Sequence, residues 1–281
     1  MRVESHFTGT GNFDRVLSHV HDDIQLMYAF DCDANAREVI KDKYQIVGND
    51  ISWARDYGHV DMIIGSPPRQ PYSVAGSGRV LGISPEWASS LSRVRQARPS
   101  WVVYENVPGA PWNAVRDVLT GLGYVVRICN VHAYDCGAPH VRARTFLLAA
   151  NEPLILNPPP YKRYKGSRMP TPTADMYTEP SGSGRKGGAN LQTWISENRD
   201  IHEWPIEPWL QTIGWTPIDN GSFNDLVEST GEWLMGFPYN AMRKYKFSHR
   251  TACRLIGNSV LPQQAHIGLW RTSLTINCFF A

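Results

Sequence analysis

The sequence predicts an α/β chain built on a mostly parallel sheet, with its chemistry gathered at the carboxyl ends of the strands. Three observations predict it. A glycine-rich turn, Phe7-Thr8-Gly9-Thr10-Gly11, separates a short first strand from a helical pattern through Val16, Leu17 and Val20. A second apolar run, Ile24 to Phe30, stops at Asp31-Cys32-Asp33. A third, Met62 to Ile64, runs into Gly65-Ser-Pro-Pro-Arg69-Gln-Pro-Tyr-Ser73, a tight turn followed by polar residues. In parallel α/β sheets, ligands and catalytic groups collect at such strand ends.

Residues 1–7 read as the first strand, although Glu4 and His6 are more polar than a buried parallel strand normally carries. The glycines that follow let a cofactor approach the backbone closely; F-x-G-x-G equally describes a plain turn. Asp31, 22 positions after Gly9, suits the hydroxyls of a ribose. Asp33 suits the N-cap of a helix through Ala34 and Ile40. Asn49-Asp50-Ile51 closes a short apolar run and offers an acceptor to an adenine amino group. Ser73 to Gly78 is small and flexible in composition, and Trp87 to Arg98 reads as a helix. The next strand ends at Tyr104-Glu105-Asn106-Val-Pro-Gly109, so Glu105 is either a site carboxylate at a strand end or a surface charge on a turn. Leu119 to Ala133 adds a helix-turn-strand unit. Arg142 and Arg144 then precede an apolar run, as anion or base contacts or as solvated edge charges.

Composition changes after Ala150. Residues 151–190 are rich in Pro, Gly, Ser and basic residues, including Lys162-Arg-Tyr-Lys165 and Gly184-Arg-Lys-Gly-Gly188. Cations interleaved with Tyr161, Tyr164 and Tyr177 suit phosphates and stacking, or a solvated loop. Trp194, Trp204, Trp209 and Trp215 point to a small packed subdomain. A helix through Ala265, Ile267, Leu269 and Trp270 closes the chain, expected beside the first strand.

The bulk numbers set limits. A chain of 281 residues, 42% hydrophobic and 19% charged, holds one large α/β domain with a small insertion. A net charge of +2 does not establish a nucleic-acid partner, so local clusters must carry that argument. The five cysteines are scattered without CxxC spacing, which argues against a disulfide framework or a zinc site; no metal is expected. No signal-like run and no bilayer-length apolar stretch is present, so no membrane is expected.

In chain order these motifs resemble DNA (cytosine-5) methyltransferases of bacterial and phage type. Asp61 to Ser73 resembles the family's nucleophile loop, G-G-P-P-C-Q-x-F-S, with Arg69 where the family has its catalytic cysteine. Glu105-Asn106-Val resembles its Glu-Asn-Val triplet, and Gly137-Ala-Pro-His140-Val-Arg142-Ala-Arg144-Thr-Phe its G-x-P-Q-x-R-x-R-x-F motif, with His140 for glutamine. Glu232-Trp-Leu-Met-Gly-Phe-Pro238 and Gly257-Asn258-Ser259-Val260-Leu-Pro262 resemble its last motifs, and Asn12 stands at its third glycine.

The resemblance implies a class I S-adenosylmethionine-dependent methyltransferase (Rossmann-like) fold. It divides the chain into a catalytic and cofactor-binding domain over 1–150, a target-recognition region over 151–230 and a C-terminal segment over 231–281 that returns to the catalytic domain. It implies S-adenosylmethionine held by Phe7, Thr8, Gly9, Thr10, Gly11, Asp31, Cys32, Asp50, Ile51, Pro68, Asn258 and Ser259. The substrate implied is cytosine extruded from double-stranded DNA. Glu105 is then expected at its N3 and amino group, Arg144 at its O2, and Arg142 as a support or phosphate contact. Bacterial or phage origin, restriction-modification, a cytoplasmic setting and an unidentified partner methyltransferase subunit belong to the same expectation.

In the family a cysteine thiolate adds to C6, which makes C5 nucleophilic, and the thiol later leaves by elimination. Arginine cannot do this, so ordinary C5 methylation is expected to be lost, with an Arg69–Glu105 ion pair filling the cytosine site. Cys136 is the nearest substitute nucleophile in sequence. The related RNA enzymes carry theirs near the Glu105 position, where this chain has none. Three readings stay open: a catalytically dead DNA-binding, regulatory or partner subunit; an enzyme of altered chemistry; and an active methyltransferase carrying an introduced Cys-to-Arg change.

Overall fold

The computed structural model describes residues 1–51, 57–69, 82–178, 190–198, 200, 204, 207, 209–217 and 221–280. The segments expected to be flexible, Ser73 to Gly78 and Gly184 to Gly188, lie outside the described residues.

Seven strands form one sheet: β1 Arg2–His6, β2 Gln25–Phe30, β3 Ile46–Gly48, β4 Met62–Gly65, β5 Trp101–Asn106, β6 Val125–His132 and β7 Ala143–Ala150. Their order is β3-β2-β1-β4-β5-β7-β6. β1 pairs in parallel with β2 and β4, β2 with β3 and β4 with β5, while β7 runs antiparallel to β5. The chain passes from β1 to β2 on one side and reaches β4 on the other. The β1–β4 seam is therefore a topological switch point, where open α/β sheets place their ligands. The register levels the strand ends there: His6 lies opposite both Phe30 and Gly65, and Gly65 opposite Tyr104.

The sequence explains the strands. Met62, Ile63 and Ile64 are an unbroken apolar run with at most 1% exposure, as a parallel strand covered on both faces requires. One face is packed by α2 (Pro85–Ala97) and α3 (Trp112–Gly121): Trp87, Leu91, Val94, Val115 and Leu119 join Ile63, Val102, Tyr104 and Leu147 in one core. Trp87 meets Tyr104 and Trp112 edge-on, at 4.9 and 5.7 Å. α1 (Ala34–Ile40) starts where Asp33 was expected to cap it; the Asp33 carboxylate accepts from the Asn35 N–H at 3.0 Å.

Glu4 and His6 of β1 are wholly buried and paired. Arg93 of α2 donates to both Glu4 oxygens at 2.8–3.1 Å, and Glu4 meets His6 Nε2 at 2.7 Å. His6 Nδ1 meets the Ser90 hydroxyl, which meets the Tyr104 hydroxyl. β1, α2 and β5 are thus joined through a polar seam inside the core.

The chain forms two compact units. The first comprises Met1–Val131, Ala143–Pro159 and Ala265–Ala281, and the second His132–Arg142 and Pro160–Gln264. Residues 231–264 group with the second unit, and the strand-to-strand excursion over 132–142 joins it too. In the second unit α4 (Leu191–Glu197), α5 (Trp209–Ile213), α6 (Phe223–Leu234) and α7 (His249–Asn258) pack around tryptophans. The Trp209 indole N–H donates to the Trp233 carbonyl at 2.9 Å, and Trp194 meets Trp204 edge-on at 5.3 Å. The closing helix α8 (Pro262–Phe280) was expected beside β1. Within it, Gly268 lies against the Phe146 ring of β7, and its carbonyl accepts from Cys129 of β6. Only glycine gives the Phe146 ring that room, a constraint invisible in the helix's own periodicity.

Candidate functional site

The glycine turn leaves β1 at the switch point. Phe7, Gly9 and Gly11 all have positive φ, at 55°, 58° and 68°, so left-handed residues alternate along the loop. The turn is held by its own N–H groups: Thr8 donates to the Phe30 carbonyl at 3.2 Å and Gly11 to the Thr8 carbonyl at 3.0 Å. Phe7 holds this conformation without being glycine, at a cost on the order of 1 kcal/mol. Among the described residues nothing lies within 4 Å of where a Gly9 side chain would project, which leaves open space beside the loop's backbone. Asn12, at the family's third glycine, has φ −75°, a right-handed value that demands no glycine.

Asp31 ties the second strand end to this loop. One carboxylate oxygen accepts from the Gly9 N–H at 2.7 Å and the other from the Asp33 N–H at 2.9 Å. Burial raises its pKa, and these bonds offset part of that rise. Arg37 donates to the carbonyls of Asp31 and Cys32 at 2.8 and 2.9 Å, which fixes the turn while the Cys32 side chain stays exposed. Thr8 donates through its hydroxyl to the Ser5 carbonyl at 3.0 Å, and Thr10 is buried. Asp50 is exposed beyond β3, whereas Ile51 is part of the core.

Across the switch point, β4 ends in Ser66-Pro67-Pro68-Arg69. The Ser66 N–H donates to the His6 carbonyl at 3.2 Å, and Asn106 donates to the Pro67 carbonyl at 2.9 Å, so neighbouring strand ends hold the turn. Glu105 is fully buried at the end of β5. It accepts a short hydrogen bond from the Ser66 hydroxyl and forms an ion pair with Arg144 Nε at 2.9 Å. The pairing is set by the sheet: β7 runs antiparallel to β5 and brings Arg144 level with the Glu105 end. Burial, and after it the charge of Arg69, push the Arg144 guanidinium down to about 9, while Glu105 acts in the opposite sense. Arg69 and Pro68 are half-buried on the same turn. Ser66 and Asn106 were not singled out from the sequence; their positions inside the Gly-Ser-Pro-Pro and Glu-Asn-Val stretches were the available signal.

The remaining site candidates lie in the second unit. Arg142 is buried and bound to carbonyls: Ser259 at 2.7 Å, Pro172 at 3.3 Å and Gly257 at 3.4 Å. These contacts make it a support for the end of α7. Ser259 closes α7 through its N–H to the Ile256 carbonyl, and Asn258 is exposed beside it. Cys136, the substitute nucleophile, is fully buried and donates to the Ala133 carbonyl at 2.8 Å. Burial drives its thiol far above the ordinary range, which removes it as a thiolate source. His140 is buried too, with Nε2 3.0 Å from the Leu234 carbonyl. Among the described residues no cluster of His, Cys, Asp and Glu could hold a metal, and no helix is long and apolar enough to cross a membrane.

Type II methylase M.HgiDII of Herpetosiphon aurantiacus is 27% identical over 153 residues, which cover 52% of this chain and 43% of that one. Type II methyltransferase M.Bpa9945I of Bacillus paralicheniformis is 27% identical over 157 residues, covering 48% and 35%. The chain thus spans less than half the length of these curated relatives. Among solved structures, a DNA modification methyltransferase encoded within an E. coli prophage superposes with a TM-score of 0.58 at 18% identity, covering 99% of each chain. The S. pombe Dnmt2 methyltransferase superposes at 0.56 with 18% identity, also over 99% of each. The fold is that of the class I S-adenosylmethionine-dependent methyltransferases, and C5 DNA methyltransferases use S-adenosylmethionine as methyl donor. The family profile for C-5 cytosine-specific DNA methylases matches residues 1–213, well over half of the sequence, and the chain belongs to that family.

Proposed function

We propose that this chain binds S-adenosylmethionine and duplex DNA, and that Arg69, at the position of the family's nucleophilic cysteine, blocks ordinary C5 methylation. The observation that carries the reading is the buried Glu105–Arg144 pair at the switch point, with the Arg69 charge acting on Arg144. Glu105 and Arg144 have the chemistry to grip a cytosine ring, one accepting from its amino group and the other donating to its O2. In the same reading Arg69 offers its guanidinium to Glu105, in competition with Arg144 and with the base. A guanidinium has no lone pair to add to C6 at neutral pH, so the step that makes C5 nucleophilic has no agent.

The cofactor reading rests on the first unit's own residues. The left-handed glycine loop, the open space beside Gly9 and the Asp31 carboxylate already fastened to that loop fit a nucleoside with a charged amino-acid tail. Phe7, Thr8, Thr10, Cys32, Asp50, Ile51 and Pro68 are proposed to line that site. When bound, the cofactor supplies an electrophilic methyl group. Glu105 and Arg144 would orient the ring that receives it, and Ser66 would orient Glu105. Residues 151–230 are proposed as the target-recognition region.

The test is transfer of labelled methyl from S-adenosylmethionine to mixed-sequence duplex DNA, by this protein and by Arg69→Cys, with cofactor binding followed by calorimetry. Both proteins are expected to bind cofactor, and only Arg69→Cys to transfer label. Label transferred by the Arg69 protein would overturn the block, and absence of cofactor binding would overturn the cofactor reading.

A further inference from the structure

The second unit carries a basic segment that is held in place rather than left to solvent. We propose that it grips the phosphodiester backbone of a DNA strand, an inference that rests on the reading of DNA as the partner. Between Tyr161 and Arg168 stand Lys162, Arg163, Lys165 and Arg168, all exposed, with no acidic residue among them. An unanchored stretch of this kind loses much of its binding energy to ordering. Here the chain is pinned at its middle and just past its end. Tyr164 is buried, its N–H donates to the Tyr134 carbonyl at 2.7 Å and its hydroxyl to the Ser167 carbonyl at 2.6 Å. Gly166 rests so close to the Tyr164 ring that any side chain there would strike it. Met169 is buried, and its N–H donates to the Pro139 carbonyl at 2.6 Å.

The two arginines are aimed as well as anchored. Arg163 and Arg168 sit 4.9 and 4.4 Å from the centre of one ring, Tyr134, which stacks on His132 at 4.7 Å and 10°. A cation–π contact positions a guanidinium without consuming its N–H donors, which remain for the oxygens of a phosphate. Asp135 approaches Arg163 only to 3.6 Å and cannot neutralise four cations. The segment also opens, at Tyr161 and Lys162, on a cavity of about 250 Å³ shared with Gln211 and Thr212. An aromatic ring, an amide and a cation around one recess suit a nucleoside, and give a nucleic-acid strand an advantage over other polyanions.

The experiment is fluorescence anisotropy of a labelled duplex over a salt series, using the whole chain and three variants. Arg163→Gln with Arg168→Gln removes the grip. Tyr134→Leu removes the platform but keeps both charges. Lys41→Gln with Arg116→Gln, two exposed first-unit cations, makes the same charge change elsewhere. The double arginine variant is expected to lower the slope of log K against log salt by about 2, with roughly tenfold weaker binding at low salt. Tyr134→Leu is expected to weaken binding severalfold with the slope kept, and the charge control to leave both unchanged. Circular dichroism confirms that each variant is folded. An unchanged slope in the double arginine variant, with wild type binding DNA, overturns the grip and leaves the DNA reading standing. An equal loss in the charge control shows a net-charge effect and overturns it too, as does a heparin fragment bound with the same affinity and slope. Failure of the wild-type chain to bind duplex removes the DNA reading, and this proposal with it.

Discussion

Glu105 and Arg144 are each acceptable in the core because of the other. Glu105 is fully buried and Arg144 nearly so, and neither could hold its charge there alone. Arg69 adds a second cation to this small space, and part of the fall of Arg144 to about 9 comes from it. Glu105→Gln would leave Arg144 buried beside a like charge without its counterion, which is expected to cost about 3–5 kcal/mol of stability. Urea unfolding of Glu105→Gln, Arg69→Cys and the double variant checks this as a cycle. The loss should be smaller when Arg69 is already gone; equal losses in both backgrounds would mean that Arg69 does not act on Arg144. Single residues also explain what the sequence left ambiguous. The Asp31 carboxylate was identifiable from its spacing to Gly9, because strand, turn and strand fix that distance. Asn12 looked like a defect in the glycine motif, because a sequence does not state φ. In the fold that position is right-handed, and asparagine sits there without strain.

Elements were the most readable scale. Strands β1, β2, β4 and β5, helices α1 and α2 and the tryptophan packing of the second unit follow from apolar runs, caps and turn residues, all local signals. What joins elements was not readable. Arg93 lies in a stretch recognised as a helix, yet nothing local distinguishes it from a solvated charge. It is buried because Glu4, 89 positions away, sits opposite it on β1. The polarity of Glu4 and His6 was visible and was the one trace of this seam. Arg93→Met alone is expected to cost about 3–5 kcal/mol, since it strands a buried carboxylate. Arg93→Met with Glu4→Leu should recover part of that loss, because the apolar pair needs no counterion while His6 Nε2 gives up its Glu4 partner. Thermal unfolding of the two variants decides the point, and a double variant as unstable as the single one would refute it. Glycines joining elements behave alike. At Gly257 a side chain would meet the Thr173 backbone, so Gly257→Ala is expected to destabilise the second unit by about 1–3 kcal/mol. Denaturant unfolding followed by tryptophan fluorescence would register it.

At the scale of the molecule, each unit contains a carboxylate that folding keeps protonated. Asp14, in the first unit, is buried beside the Tyr44 hydroxyl. Burial pushes it up to about 7, and the neighbouring Tyr44 hydroxyl and Lys43 ammonium offset only part of this. Glu232, in the second unit, is raised to about 7 by burial, against the pull of the Met242 N–H that donates to it at 2.6 Å; nearby Glu228 reinforces the rise. In the unfolded chain both groups lose their protons near pH 4. The folded state therefore binds more protons than the unfolded state between about pH 4 and 7, and the stability these groups support falls across that window. It is fully present below the unfolded value and lost by the time pH passes the folded one. Glu4 works in the opposite sense: Arg93 and His6 hold its carboxyl below the usual range, so its contribution is present at neutral pH and fades only in acid. Unfolding free energy measured from pH 4 to 8 is thus expected to decline toward the alkaline end by a few kcal/mol. Asp14→Asn with Glu232→Gln keeps the shape and the acceptor oxygens but removes both titrations. That protein should gain on the wild type at pH 8 and approach it at pH 4. A gain that is the same at both pH values would point to packing, and would mean that neither carboxyl holds its proton through folding.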